Sequence, residues 1–327
     1  MSYKIGIPRA LMFHYYYPSW EVFFQEMGME VVLSPETNKR ILDEGVKRAV
    51  DDLCLPFKVY YGHVLELLDR VNYLFVPRLI SLGKGNAVCP KFMGLPDMVR
   101  ATFKQVPPLI EPVVDLRKGL FPLRRIAHQI GEKLKVNYWR VEKAYWKALK
   151  KQREFAEIQQ RGFTPAEAMR ILKNGSVESQ AGRDNGLRVA VLGHSYITND
   201  KYLSMDIVGH LRKMGVKVVT LEMFRPGLLE KAAERQPKKL FWIYNREVMG
   251  AAYHLLFESK ERVQGIIQVT AFGCGPDSLV NELVSINSKK HQDISFLNIN
   301  IDEHSGQAGL ITRLEAFIDL LERRKMA

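Results

Sequence analysis

Ile266-Ile267-Gln268-Val269-Thr270-Ala271-Phe272-Gly273-Cys274-Gly275-Pro276-Asp277-Ser278 joins an apolar, β-branched run of strand length to a Gly-Cys-Gly-Pro corner. After the corner, Asp277 to Val284 reads as the opening turns of a helix. Strand, corner and helix together form the repeating piece of an open parallel sheet. Cys274 then sits at the carboxyl end of a strand, where such sheets bind their ligands. The N–H groups and positive partial charge of the helix N-terminus predict a stabilised thiolate there.

The chain has two other cysteines with similar punctuation: Cys54 in Asp52-Leu53-Cys54-Leu55-Pro56 and Cys89 in Val88-Cys89-Pro90-Lys91. A proline just after a ligating cysteine starts the next helix, fixes the backbone and removes a competing N–H, as ferredoxin cysteines show. Three is an odd number and too few for a disulfide framework, so metal binding or redox work is favoured over stapling. Three buried, inert thiols fit the same spacing.

Outward from that stretch, alternating strands and helices fill both ends of the chain. Lys4–Arg9, Glu30–Leu33 and Tyr73–Pro77 read as strands, with helices over Pro18–Met27, Lys39–Val50 and Pro56–Leu68. Pro108–Pro112 is strand-like, and the loop bearing Ser81, Gly83, Gly85 and Cys89 precedes a short helix near Leu95–Phe103. From Leu120 to Leu172 the apolar spacing is helical throughout. The polar, glycine-rich Asn174–Gly186 reads as an interdomain loop. A second series follows: strands at Arg188–Gly193, Lys217–Thr220, Lys239–Ile243, Ile266–Ala271 and Ile294–Ile299, with helices at Lys201–Met214, Glu247–Glu258, after Cys274, and at Gly309–Arg323. The expected architecture is α/β, with two Rossmann-like parallel-sheet domains at residues 1–116 and 187–327, joined by a basic helical section and linker over 117–186.

If both sheets turn their carboxyl ends towards one another, Cys54, Cys89 and Cys274 meet in the interdomain cleft as a metal site. Three thiolates would hold a 4Fe-4S cluster with one open iron. Zinc is the competing metal, with His63 or His304 as fourth ligand. Two strand-end loops offer further chemistry: Gly193-His194-Ser195-Tyr196 and Asp302-Glu303-His304-Ser305. His194, Ser195, Asp302, Glu303 and His304 are candidates for acid–base work or hydrogen bonds to sulfur, with capping of the final helix as the plainer role for Asp302 and Ser305. Arg9, just past the first strand, is a candidate anion ligand. The sequence contains no GxGxxG or GxxxxGK[ST] phosphate fingerprint.

Of the formal charge of +12, residues 117–173 carry nearly all, with 15 Lys and Arg against 5 Glu, or +10 by difference. A solvated helical face accounts for this, as does a docking surface for an acidic partner or a polyanion such as a CoA nucleotide. Nucleic acid is not expected, because no recognition motif accompanies the charge. The apolar runs are strand-sized, which excludes a membrane span, and the N-terminus enters a strand without a signal-peptide pattern, so the cytoplasm is the expected compartment.

Several of these stretches resemble a known family. They are Ile5–Arg9 with Tyr16–Pro18, Cys54–Lys58, Val76–Arg78, Cys89–Asp97, Phe272–Ser278, Asp302–Gly306 and Thr312–Phe317. Together they resemble the acyl-CoA dehydratase activase-related proteins, within the superfamily of 2-hydroxyacyl-CoA dehydratases and benzoyl-CoA reductases. The loop at His194 departs from a Gly-Arg-Pro-Tyr-like pattern of relatives. The resemblance implies Rossmann-like domains around an iron-sulfur cluster on Cys54, Cys89 and Cys274. It also implies an acyl-CoA or other small substrate, a separate ATP-dependent activase of actin-like fold, and a homodimer. A double-cubane cluster would need thiolates from two chains. The expected function is thus an iron-sulfur redox protein, reduced by that activase, in low-potential reduction or dehydration; the alternative is a non-catalytic cluster carrier or scaffold.

Overall fold

The computed structural model describes residues 2–176, 185–259, 263–291 and 293–326. Most of the expected interdomain loop at Asn174–Gly186 lies outside them. Ten strands are present among the described residues: β1 Lys4–Ile7, β2 Glu30–Leu33, β3 Tyr73–Phe75, β4 Arg78–Ser81, β5 Leu109–Ile110, β6 Val113–Asp115, β7 Arg188–Leu192, β8 Lys217–Thr220, β9 Gly265–Ala271 and β10 Ser295–Ile301. The chain divides into two compact units. The first holds Met1–Leu53, Phe57–Glu157 and Phe241–Ile243; the second holds Cys54–Pro56, Ile158–Leu240 and Tyr244–Ala327.

The first unit is built on a parallel sheet of order β2-β1-β3-β5, with Ile5 opposite Val31 and Tyr73, and Leu74 opposite Leu109. β4 and β6 form a separate parallel pair. Phe24, Phe57, Phe92, Ile5, Ile41 and Leu74 are fully buried and fill its core. Two of its helices, Lys39–Arg48 and Leu55–Leu65, cross on glycine. A methyl group on Gly45 would stand 2.0 Å from the Lys58 carbonyl oxygen, and one on Gly62 would stand 1.9 Å from that of Ile41. The long helix Tyr138–Gln160 explains part of the basic middle section. Arg140 Nε donates to the Glu26 carbonyl at 2.7 Å, while Lys147 Nζ and Lys143 Nζ lie 2.5 and 3.8 Å from the Glu26 carboxylate.

The second unit has the parallel order β10-β9-β7-β8. All seven residues of β9 are buried, the signature of a central strand covered on both faces. The helix Gly275–Lys289 contributes Val280 and Val284, and Gln307–Met326 contributes Leu310, Leu314, Phe317, Ile318 and Leu321 at three-to-four-residue spacing.

Both units are α/β with parallel sheets, as the alternation of elements implies. Local departures have local causes. Lys239–Ile243 is no strand: Trp242 makes one isolated bridge to Ala87, and Ile243 already opens the helix Ile243–Tyr253. Lys201–Met214 is helical only over Ile207–Lys213, because Met205 and Asp206 take left-handed backbone angles (φ 49° and 54°) that end the preceding turns. The first helix, Phe13–Glu26, starts upstream of Pro18 and holds that proline within it. β4 and β6, each next to a proline, extend the region beyond the expected strands.

Candidate functional site

In the second sheet the chain runs from β7 outward to β8, then returns to the other side of β7 for β9. The strand order therefore reverses between β7 and β9, and their carboxyl ends open the crevice where doubly wound sheets bind ligands. His194 lies two residues past β7 and Cys274 three past β9. Gly193 permits their approach, since a Cβ there would meet the Val269 carbonyl oxygen at 2.5 Å. Cys274 precedes the first residue of the helix Gly275–Lys289, and Asp277 lies in its first turn.

One donor atom each from His194, Cys274 and Asp277 lies within 4.8 Å of the others. His194 Nε2 is 2.7 Å from Asp277 Oδ1, which also accepts from Asn245 Nδ2 at 2.9 Å. His194 is 3% exposed and Asp277 4%. His194 Nδ1 and Asp277 Oδ2 are buried without a hydrogen-bond partner among the described residues. Tyr196 stacks on the imidazole at 5.0 Å, and Tyr244 meets it edge-on at 6.2 Å. Burial, followed by the negative charge of Asp277 and the neighbouring Cys54, pushes the Cys274 thiol up. This corrects the expectation of a thiolate stabilised by the helix N-terminus: the backbone N–H of Asp277 does favour the anion, but desolvation outweighs it.

Cys54 joins this region. The Leu55 amide donates to the Phe272 carbonyl at 3.4 Å, and a Cβ on Gly273 would stand 3.1 Å from Cys54 Cα. Gly273 itself has φ 77°, the left-handed angle that turns Cys274 off the strand. Cys89 belongs to the first unit, where it precedes the helix Pro90–Met93. Within the second unit, an imidazole and a carboxylate converge on Cys274. Both ring nitrogens of His63 are engaged, with Ser34 Oγ and Thr37 Oγ1 each at 2.9 Å, and His304 is exposed in the turn after β10.

The remaining candidates have structural partners. Ser195 is fully buried at the start of the short helix Ser195–Thr198 and accepts from Asn199 Nδ2 at 3.1 Å. Asp302 accepts from the His304 amide at 2.9 Å and the Ser305 hydroxyl at 2.8 Å, which closes the turn before the last helix. Glu303 is half-buried in that turn. Arg9, after β1 in the first unit, donates its amide to Ser34 Oγ at 2.9 Å and pairs with Glu36 at 3.5 Å.

Asp277, Asn245 and Glu247 were not anticipated as site residues. Asp277 had a legible signal, a carboxylate three residues after a cysteine at a helix start; Asn245 had none. Glu247 is half-buried, and burial raises its carboxyl to about 7, with the charge of His194 pulling the other way.

A family model described as a CoA enzyme activase uncharacterised domain matches residues 4–224, about two thirds of the chain. The chain belongs to this family. The match takes in Cys54, Cys89 and His194 and ends before Cys274 and Asp277. No curated protein matches the sequence. The family overturns the expected role of a cluster-carrying iron-sulfur protein that an activase reduces, because its description places the chain with the activase. It does not favour the non-catalytic carrier or scaffold either. Among the described residues, no helix is long and apolar enough to cross a membrane.

Proposed function

We propose that the chain works on the activase side of a coenzyme A enzyme system and docks on the enzyme that is activated. The supporting observation is the family match over residues 4–224. The sequence resemblance suggests the acceptor class, an enzyme of the 2-hydroxyacyl-CoA dehydratase and benzoyl-CoA reductase superfamily. The nucleotide chemistry is assigned to a separate ATPase of actin-like fold.

A docking role also suits the helical part of the first unit. Phe121 and Trp139 are each 79% exposed, and Trp146 is 57% exposed. Exposed aromatics beside lysine and arginine are the residue types enriched at protein interfaces. The test combines the purified chain with the ATPase and the coenzyme A enzyme, then follows acyl-CoA turnover and complex formation by size exclusion. Turnover should depend on the chain, and Trp139→Ala with Trp146→Ala should weaken the complex. Equal turnover without the chain, together with no complex, overturns the proposal.

A further inference from the structure

In the crevice between β7 and β9, we infer a mononuclear site for a divalent transition metal of the zinc class, with His194, Cys274 and Asp277 as its protein ligands. The inference is independent of the activase reading and would stand if the chain activated nothing.

Three observations carry it. Sulfur, nitrogen and oxygen donors from three sequence positions come within 4.8 Å of one another in the place where this sheet topology binds ligands. One buried atom of the set, Asp277 Oδ2, has no hydrogen-bond partner among the described residues. Buried polar atoms of folded proteins are rarely left so, and each such atom calls for an explanation. The third observation is support around the ligands. Asn245 Nδ2 holds Asp277 Oδ1 at 2.9 Å, and the two tyrosine rings fix the plane of the His194 imidazole. Hydrogen bonds of this kind to a ligating carboxylate orient it for its metal.

The donor types select the ion. Magnesium and calcium prefer all-oxygen sites, whereas a thiolate, an imidazole and a carboxylate together suit a borderline ion such as zinc or cobalt. Tetrahedral bonds of about 2.0–2.3 Å place ligand atoms about 3.3–3.6 Å apart. The 2.7 Å contact between His194 and Asp277 must therefore open by somewhat less than an ångström as the ion enters. Binding displaces the Cys274 proton to solvent. Three protein ligands leave one tetrahedral position open for water or a small ligand, the arrangement of catalytic rather than structural zinc sites.

The full-length chain, stripped with chelator, is titrated with cobalt(II) alone and then with zinc(II). One equivalent of cobalt should bind, giving tetrahedral absorption in the visible and a sulfur-to-cobalt band in the near ultraviolet, and zinc should bleach both. Cys274→Ser should abolish the sulfur band, Cys89→Ser should leave it unchanged, and Asn245→Ala should weaken binding by about 10- to 100-fold at the same stoichiometry. The unmodified protein alone decides the matter if a variant fails to fold. Absence of cobalt binding overturns the proposal, as does a sulfur band that survives Cys274→Ser or iron with acid-labile sulfide in protein purified without air.

Discussion

Replacing Gly62 with alanine sets two effects of opposite sign against each other. In a helix interior, alanine is better than glycine by about 1 kcal/mol, so propensity predicts a gain. The crossing of Lys39–Arg48 with Leu55–Leu65 predicts a loss. The new methyl would lie 1.9 Å from the Ile41 carbonyl oxygen and 2.9 Å from Ile41 Cγ2, where ordinary contact begins near 3.4 Å. The helices must part by roughly 1.5 Å, which disturbs the packing of Ile41 and Val59, both fully buried on these two helices. Overpacking of this kind costs about 1–3 kcal/mol or somewhat more, so the net expectation is a loss of about 2 kcal/mol. Gly45→Ala, with its methyl 2.0 Å from the Lys58 carbonyl oxygen, should behave alike. Because both substitutions open the same seam, the double variant should lose less than the sum of the two. Urea unfolding followed by far-ultraviolet circular dichroism reads all three. A Gly62→Ala protein as stable as the parent, or more stable, would refute the close crossing.

Three further outcomes are expected. His14 and His63 are buried, and desolvation is the main reason that their values fall from 6.5 to about 4 and about 3. The unfolded chain therefore takes up their protons first. The stability they contribute is complete above pH 6.5 and declines as pH falls towards 4, by about 2 kcal/mol each between pH 7.5 and 5; urea midpoints across that range should fall less steeply for His63→Gln, and equal slopes would contradict the assignment. Glu167 pairs with Arg212 and closes a capping box with Thr164. Glu167→Ala should cost about 3–5 kcal/mol by leaving Arg212 unpaired, and Thr164→Ala only about 1, so a thermal melt with the reverse ranking would reject this account. Gly273→Ala forces a left-handed alanine against Cys54 Cα and should destabilise by about 2 kcal/mol, whereas a neutral result would mean that the corner is not held as described.

The parallel α/β plan was legible because Val189–Leu192 and the β-branched, mostly apolar Ile266–Ala271 are short runs that alternate with helix-length segments, the pattern of strands buried on both faces. Lys239–Ile243 imitates such a run, and five residues are too few for periodicity to separate a strand from the approach to a helix. At the site, His194 and Cys274 were each visible as strand-end residues. Their meeting was not, since it depends on β7 and β9 being neighbours across 80 residues of chain (274 − 194). Asn245 could be found only from the fold, because nothing local distinguishes an asparagine on that helix.

The division of the chain between its units also bears on synthesis. Phe241–Ile243 completes the first unit, where Trp242 bridges Ala87 and the Ile243 amide donates to the Ala87 carbonyl at 2.9 Å. Those residues leave the ribosome 86 positions after Glu157 (243 − 157). At about 5–20 residues per second, the N-terminal unit waits roughly 4–17 s for its last piece while most of the second unit's early strands are being made. Cys54–Pro56, made early, waits longer still for β9. A fragment cut at residue 157 would lack three residues of its own unit and carry three belonging to the other, so the halves are expected to fold properly only as one polypeptide.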